Sequence, residues 1–408
     1  MRILLINQVF YPDPAATAQH AHDLGRHLVD AGHEVHIIAS RSIYGETGAT
    51  LKKNELVDGI HVHRVARSLF GKSSIIARAF DFFLFYLAAF WKAHRTPRAD
   101  VVITFTTPPF ISLLGWWLRA TRRSKYVYWL MDLYPDVAVA CGVMKPRSLL
   151  TRLLDRINRF CLRKADAVVV LGRCMRDRVL DKGIPEARVE HIGVWSDQDE
   201  VKPIPREDNP YRAEWNLGDR FVVMYSGNFG LGHDVDTMLQ AAKQLRDDDR
   251  IRFLFVGGGK KKPVVEAFVK EHELNNCVTA PYQPREKLDQ SLSCADVHLA
   301  SMLDGLEGMM VPCKLFGIMA AARPTIFIGH PSSELARVLE EHSAGRVIPP
   351  GDVEGLVEII REMEANRDDT FAMGDRARLA LSAAYSRNIA CEAWRELLVS
   401  LVDGSRKD

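Results

Sequence analysis

The alternation of short apolar runs with helical segments constrains this chain more than any other feature of its sequence. The apolar run Ile3–Ile6 is followed by a helical pattern from Thr17 to about Ala31, and Gly32 separates that helix from the apolar run Val35–Ala39. Further buried-strand patterns occur at Ile60–Val65, Val101–Phe105, Lys125–Leu130 and Ala167–Leu171. Strands that alternate with helices predict a parallel sheet covered by helices on both faces.

The same alternation starts again after a proline-rich, acidic segment at Val201–Pro210. It continues through apolar runs at Phe221–Ser226, Ile251–Val256, Val278–Ala280, Val297–Ala300 and Thr325–Ile328. We therefore expect an α/β protein with two doubly wound, Rossmann-like domains, residues 1–195 and 216–387, joined by a linker over 196–215. An amphipathic helix in the last segment, 388–408, is expected to pack back toward the N-terminal domain. Ligands of doubly wound sheets bind at the carboxyl ends of the strands, so the loops there are the candidate sites.

The formal net charge of +2 conceals an uneven distribution of charge along the 408 residues. Residues 1–195 contain 28 Lys and Arg against 17 Asp and Glu, a net charge of +11, whereas residues 196–408 contain 26 against 35, a net charge of −9. A basic half favours an anionic partner, such as a membrane surface, a nucleic acid or a phosphorylated substrate. No RRM, KH, helix-turn-helix or zinc-finger pattern occurs, so nucleic acid is not expected as a partner.

Aromatic and basic residues lie close together in the N-terminal half. Apolar clusters at Phe80–Trp91 and Phe110–Leu118 are followed by arginines, and the stretch Lys145–Lys164 combines leucines with arginines. Two interpretations stay open: peripheral contact with anionic lipid through aromatic anchors, or core helices with solvated basic edges. No uncharged apolar stretch reaches 18 residues, and the segment Met1–Asn7 is expected to be a strand rather than a signal peptide. Seven cysteines without a CxxC pair favour a reducing cytoplasm, either in solution or at the inner membrane.

Two glycine-rich segments follow predicted strands of the C-terminal half. In Ser226–Asp234 (SGNFGLGHD), glycines allow backbone N–H groups to approach a phosphate, although the spacing is not that of the dinucleotide fingerprint and a tight turn is the alternative. In Val256–Lys262 (VGGGKKK), the glycines indicate close backbone approach, and the lysines either meet a phosphate or are solvated.

A third segment, Glu307–Pro324, carries a single lysine in an unusual position. Pro312 suits the first turn of a helix, which places Lys314 in that turn. A cation there opposes the helix dipole, and a protein tolerates this cost more readily when an anionic ligand shares the site. The pattern predicts that Lys314 binds a ligand.

Taken in order and spacing, these motifs resemble the GT-B glycosyltransferases of the large retaining family 4, in the branch of bacterial surface-polysaccharide enzymes. The N-terminal motifs are Phe10-Tyr11-Pro12, Ala31–Val35 and Trp129–Asp136 (WLMDLYPD). The C-terminal motifs are Tyr225–Gly230 (YSGNFG), Phe255–Gly259 (FVGGG) and Pro312–Phe316 (PCKLF) leading to Met319–Ala321. The resemblance covers essentially the whole chain and implies two Rossmann-like domains that face a central cleft.

The resemblance also implies roles for particular residues. Catalytic contacts are expected from Asp132, Glu307 and Lys314. Donor binding is expected from Gly227, Asn228, Gly230, Gly257, Tyr282, Gln283, Gly308, Lys314 and Leu315. In this scheme the glycine loop and Lys314 face a diphosphate, Tyr282 and Gln283 frame the base, and Glu307 with Gly308 meets the donor sugar. Asp132 would face the transferred sugar, and capping a turn before Pro135 is its alternative role.

The chain departs from the family pattern at two places. Many members have an Arg and a Lys that contact the diphosphate, where this chain has Asn228 and either His233 or Asp234. The Glu that usually holds the nucleotide ribose is replaced by Gly317. The phosphate charge would then fall to Lys314, to backbone amides or to Lys260–Lys262.

The sequence therefore predicts a metal-independent hexosyl- or N-acetylhexosaminyl-type glycosyltransferase of envelope polysaccharide assembly. It would transfer a sugar with retention from a nucleotide-sugar co-substrate, expected to be a UDP-sugar, to a lipid-linked saccharide or polysaccharide acceptor. No HExxH, DxD or Cys/His cluster indicates a required metal, and no other cofactor is implied. The alternatives are a nucleotide-sugar 2-epimerase of the same fold and an inactive nucleotide-sugar-binding homologue.

Overall fold

A buried, mainly parallel β-sheet lies at the centre of each half of the chain in this computed structural model, which describes residues 1–43, 50–68, 75–197 and 199–405. The chain divides into two units. The first comprises Met1–Gly193, Gly308–Met310 and Asn388–Asp408, of which the last three residues lie outside the described ranges. The second comprises Val194–Glu307 and Val311–Arg387.

Within the described residues of the first unit, eight strands form one sheet in the order β3-β4-β2-β1-β5-β6-β7-β8. All neighbouring pairs are parallel except β3 and β4. The strands are β1 (Arg2–Ile6), β2 (Glu34–Ser40), β3 (Asn54–Val57), β4 (Ile60–Val65), β5 (Val101–Thr104), β6 (Lys125–Trp129), β7 (Ala167–Val170) and β8 (Val189–His191). The central strand β1 is buried on both faces, as its unbroken apolar run predicts.

Helices cover this first sheet. They are α1 (Ala16–Asp30), α2 (Ile75–Arg95), α3 (Ser112–Arg122), α4 (Asp136–Ala140), α5 (Leu149–Lys164) and α6 (Arg173–Asp181). Phe85, Ala89 and Ala93 of α2 pack with Leu118 of α3 in one apolar cluster against the sheet. None of the helices in the described residues is long and apolar enough to cross a membrane.

In the described part of the second unit, six parallel strands form a sheet in the order β11-β10-β9-β12-β13-β14. They are β9 (Phe221–Asn228), β10 (Ile251–Gly258), β11 (Cys277–Ala280), β12 (Val297–Ser301), β13 (Thr325–Ile328) and β14 (Gly345–Ile348). The helices are α7 (Pro210–Glu214), α8 (Asp236–Gln244), α9 (Lys262–Glu271), α10 (Leu288–Ser293), α11 (Lys314–Ala320), α12 (Glu334–Glu341), α13 (Val353–Ala365) and α14 (Arg367–Ala380). The prediction of two doubly wound α/β sheets is confirmed.

The segment 196–215 and the C-terminal segment differ in how they pack. Helix α7 begins at Pro210 within the expected linker, and its Tyr211 and Arg212 are buried, so this stretch packs on the second unit. The last helix, α15 (Arg387–Asp403), lies almost wholly in the first unit, where the Trp394 ring is 4.5 Å from that of Trp129.

The strand order locates the ligand-binding edge of each sheet. In the second unit the strand order reverses between β9 and β12, and in the first unit it reverses between β1 and β5. The loops that follow strands on either side of such a switch point diverge and leave a crevice at their carboxyl ends. The loop after β9 and the segment from β12 to α11 meet this condition.

Candidate functional site

The glycine-rich segments lie at the carboxyl ends of β9 and β10, where the two strands remain paired. Gly227 pairs with Gly257, and Asn228 pairs with Gly258. Gly227 and Gly257 have φ values of +129° and +127°, and a Cβ atom on Gly257 would overlap the carbonyl oxygen of Gly227. Close approach of two backbones therefore requires glycine at 257. Gly230 lies one turn further, next to the side chains of Asn228 and His233.

Lys314, the first residue of α11, lies beside this strand end. A Cβ atom on Gly227 would come within 3.7 Å of Lys314 Cε and 3.8 Å of its Nζ. The Nζ atom is buried, and within residues 1–43, 50–68, 75–197 and 199–405 it has no hydrogen-bond partner. Burial lowers the pKa of Lys314 to about 7, because desolvation disfavours the charged amine.

The aromatic ring of Tyr225 contacts the Lys314 amine. The amine lies 3.7 Å from the centroid of the Tyr225 ring, which is a cation–π contact. The Tyr225 hydroxyl donates a hydrogen bond to the Asn228 carbonyl oxygen at 2.9 Å, which holds the ring against the strand end. The sequence-based predictions assigned Tyr225 no role. Its position as an aromatic residue just before the glycines, at the end of a central strand, was the signal that could have found it.

His233 and Asp234 are the two residues that the sequence analysis considered for a cation position of the family pattern, and both side chains hold the local structure together. His233 Nδ1 donates a hydrogen bond to the carbonyl oxygen of Ser301 at 2.6 Å. Burial and the nearby Lys314 amine lower the pKa of His233 to about 3, so the imidazole is neutral at physiological pH. Asp234 accepts a hydrogen bond from the Thr237 amide at 3.2 Å, near the start of α8. Neither side chain supplies a positive charge to this site.

The three lysines after β10 are not equivalent. Lys262 is buried and its amine donates to the carbonyl oxygens of Phe255 at 2.6 Å and Ala280 at 3.1 Å. Lys261 donates to the carbonyl oxygen of His233 at 2.6 Å, and Lys260 is exposed. The amines of Lys261 and Lys262 therefore hold loops together, which leaves Lys314 as the buried amine of this region with no acceptor among the described residues.

Tyr282 and Gln283 lie in the loop after β11. A Cβ atom on Gly258 would lie 2.9 Å from Tyr282 Cε2, so the tyrosine ring covers the end of β10. The ring is 59% exposed and can stack on a planar group. Gln283 accepts a hydrogen bond from the Tyr211 hydroxyl at 2.7 Å and donates to the Pro281 carbonyl oxygen at 3.0 Å.

The segment between β12 and α11 holds the remaining candidates of the second unit. Glu307 is partly buried, and one of its carboxylate oxygens accepts a hydrogen bond from the Gly305 amide at 3.1 Å. The Leu315 side chain is fully buried, so this residue can offer a ligand only its backbone. At Gly317 a Cβ atom would lie 3.6 Å from Leu292 Cδ1, an ordinary van der Waals contact.

Asp132 lies in the first unit, in the loop after β6, together with the segment Gly308–Met310. The Leu133 amide donates to the Met309 carbonyl oxygen at 2.7 Å, and Asp132 pairs with Met310 in an isolated bridge. Gly308 has a φ of +72°, and a Cβ atom there would overlap the Cys174 carbonyl group, so this packing requires glycine.

The Asp132 carboxyl group has an environment typical of a functional residue. Burial raises its pKa to about 6, and across the described ranges no Lys, Arg or His forms an ion pair with it. Helix α4, which begins after Pro135, receives no side-chain cap. Asp132 therefore does not cap this helix.

The arrangement divides the predicted residues into groups. Gly227, Asn228, Gly230, Gly257 and Lys314 come together at one edge of the second sheet, with Tyr282 over the neighbouring strand end. In the first unit Asp132 pairs with Met310, and Gly308, two residues before Met310, packs against Cys174. Among the residues whose positions are described, no group of three or more His, Cys, Asp or Glu is placed to hold a metal ion.

Comparison with known proteins identifies the class to which this chain and its fold belong. Residues 16–195 match the glycosyl transferase 4-like domain, and residues 207–380 match the glycosyl transferases group 1. The chain is 31% identical over 337 residues to WbjE of Pseudomonas aeruginosa, named a probable glycosyltransferase, with 81% of each chain covered. This chain belongs to the glycosyltransferases, and its two α/β units have the GT-B fold.

A second relative and a solved structure of similar fold were also found. The chain is 24% identical over 374 residues to WcaI of Escherichia coli (strain K12), named for colanic acid biosynthesis, with 89% of this chain and 92% of the relative covered. The structure of Anabaena Alr3699/HepE in complex with UDP-glucose superposes with a TM-score of 0.75 at 14% identity, covering 98% of this chain and 100% of that one.

Proposed function

We propose that this glycosyltransferase is a retaining enzyme of family 4 that transfers a hexosyl or N-acetylhexosaminyl group from a UDP-sugar to a lipid-linked saccharide in envelope polysaccharide biosynthesis. The sequence motifs support the family and the retention of configuration. The UDP-glucose complex of HepE and the name of WcaI support the donor class and the polysaccharide product. The reaction would take place at the cytoplasmic face of the membrane that holds the acceptor.

The Lys314 amine is the observation on which the proposal rests. A buried amine without an acceptor is costly in a folded protein, and such groups concentrate at ligand sites. A diphosphate bound at the ends of β9 and β12 would provide the missing acceptor and an opposite charge. The absence of a side chain at Gly227 leaves the approach to the amine open.

The chemistry follows from charge. Breaking the bond between the sugar and its diphosphate leaves negative charge on the phosphate oxygens, and a cation placed there beforehand stabilises the transition state more than the ground state. Lys314 would supply that charge without a metal ion. The exposed Tyr282 ring is suited to stack on the nucleotide base, and Asp132 is proposed to contact the transferred sugar.

The donor class is tested by incubating the protein with UDP-, GDP- and ADP-sugars, with and without a lipid-linked acceptor fraction, and measuring nucleotide release and labelled glycolipid. We expect release from a UDP-sugar only when the acceptor is present, with or without EDTA. Because a ligand that binds only the folded state stabilises it, UDP should also raise the melting temperature.

Other outcomes identify the alternatives. Conversion of the sugar nucleotide without acceptor would indicate an epimerase. Binding of all donors without turnover would indicate an inactive homologue, and loss of turnover in EDTA that is restored by a divalent cation would overturn metal independence. The anomeric configuration of the product, read by NMR, decides between retention and inversion.

A further inference from the structure

Helix α2 has apolar residues on two opposite faces, and only one of these faces packs against the first sheet. Phe85, Ala89 and Ala93 are buried against the first sheet. On the other face Phe83, Leu87 and Trp91 are exposed, Trp91 by 61%, at a spacing of four residues that forms a single stripe. The sequence left open whether this segment was a core helix or a membrane-contacting one, and the structure shows a buried face and a separate exposed face.

Ring contacts link this exposed stripe to two further helices through the half-buried rings of Phe90, Trp116 and Phe160 and the exposed ring of Trp117. The Phe90 ring is 5.8 Å from Trp91 and 5.9 Å from Trp117 of α3. The Trp117 indole N–H donates to His94 Nε2 at 3.2 Å. Its neighbour Trp116 meets Phe160 of α5 edge-on at 4.9 Å. Ring contacts therefore join α2, α3 and α5 into one continuous aromatic strip.

Basic side chains border this strip on α5. Arg156, Arg159, Arg163 and Lys164 line a shallow depression of about 500 Å³ around Phe160, and the Lys164 amine lies 5.9 Å from the Phe160 ring centroid. Arg159 pairs with Asp155 at 2.7 Å. Over the ranges that the structure describes, Arg156, Arg163 and Lys164 form no ion pair with an acidic side chain. Toward the start of α5, Leu149, Leu150 and Leu153 are exposed as well, Leu149 by 84%.

We propose that this surface, the α2–α3–α5 face, docks on an anionic phospholipid bilayer. The face is defined by Phe83, Leu87, Trp91, Trp117 and Phe160 together with Arg156, Arg163 and Lys164. Exposed aromatic rings next to Lys and Arg match the interfacial region of a membrane, where rings insert among the headgroups and cations meet lipid phosphates. The net charge of +11 over residues 1–195 adds a long-range attraction to the same surface. Docking through this face would hold the enzyme at the membrane where the proposed transfer takes place, but it is argued from residues outside the donor site.

The test is sedimentation of the full-length protein with vesicles of phosphatidylcholine alone or mixed with phosphatidylglycerol, at low and high salt. We expect binding to the anionic vesicles that weakens as salt screens the charges. The triple variant Arg156→Glu, Arg163→Glu, Lys164→Glu should lower the affinity at least about 100-fold. The triple variant Phe83→Ser, Leu87→Ser, Trp91→Ser should lower it at least about tenfold.

Matched controls come from exposed positions of the second unit. Arg246→Glu, Lys270→Glu, Arg361→Glu reverses the same number of charges, and Leu379→Ser removes an exposed leucine. Both should bind vesicles nearly as well as the unaltered protein. If a test variant does not fold, the same docking can be measured on the unaltered protein by the quenching of its tryptophan fluorescence by brominated lipid. Trp91→Phe and Trp117→Phe should each reduce this quenching.

Three results would overturn the proposal. The first is equal affinity for neutral and anionic vesicles. The second is a loss of vesicle affinity that is no larger for the test variants than for the controls. The third is salt-sensitive binding to an unstructured RNA without binding to vesicles. The vesicle assay contains no nucleotide sugar, so its failure would leave the proposed donor site untouched.

Discussion

The side-chain amines of Lys262 and Lys314 are both buried in the same acidic unit, and they differ in what they contact. The Lys262 amine donates to two backbone carbonyl oxygens, at the ends of β10 and β11. The Lys314 amine has no hydrogen-bond acceptor in the described chain and lies over the ring of Tyr225. Burial lowers the pKa of both. A buried lysine amine is therefore not in itself a sign of function. The presence or absence of hydrogen-bond acceptors around the amine separates a structural lysine from a candidate ligand-binding one.

Removal of the Lys314 amine is expected to have the largest effect on the rate of sugar transfer. We expect Lys314→Met to lower transfer from the donor sugar by about 100-fold or more, as when a charge-stabilising group is lost from an active site. The free energy of unfolding should stay unchanged or rise, because no buried acceptor is left unpaired. Turnover, donor affinity by calorimetry and denaturant unfolding check these statements. The control is Lys270→Met, at an exposed lysine of α9 in the same unit. An unchanged donor affinity in Lys314→Met would remove Lys314 from the site.

The pH dependence of donor binding tests whether the Lys314 amine contacts the donor. The pKa of Lys314 is about 7 in the free protein, and a bound diphosphate would raise it by supplying an opposite charge. Below pH 7 the amine is protonated in both states, so affinity should not vary through this group. Above pH 7 the affinity should fall by up to about tenfold per pH unit, with uptake of a proton on binding. Calorimetry in buffers of different ionisation enthalpy measures that uptake, which should vanish in Lys314→Met.

The smallest effect is expected at Lys262, and it should concern stability. Lys262→Met leaves the carbonyl oxygens of Phe255 and Ala280 without their donor, at a cost of about 1–3 kcal/mol in the free energy of unfolding. Donor affinity at temperatures where the variant is folded should stay close to that of the unaltered protein. A large loss of donor affinity with normal stability would reverse the roles assigned to the two lysines.

The strands differ in how well the sequence predicted them. Central strands such as β1, β5 and β9 are buried on both faces, so their apolar runs are unbroken and visible in the sequence. The strands β3, β8 and β14 were not predicted. They are three or four residues long at the edges of their sheets and are partly exposed, so no apolar run marks them.

The α2 helix shows a similar limit. Its aromatic sequence is compatible with a core helix and with a membrane-contacting one, because hydropathy does not record which face meets the sheet. Only the packing of Phe85 and Ala89 under the helix, with Leu87 and Trp91 left outside, separates the two faces.

By itself, the sequence determined the two doubly wound α/β halves, the glycine-rich strand ends and the position of Lys314 in the first turn of a helix. These follow from local patterns: apolar period, glycine spacing and the conflict of a cation with a helix dipole. The tertiary structure alone decided that Lys261 and Lys262 are structural, that Tyr225 supports Lys314 and that His233 is neutral. Each of those outcomes depends on a carbonyl oxygen, a ring or a charge that the fold brings within a few ångströms from another part of the chain.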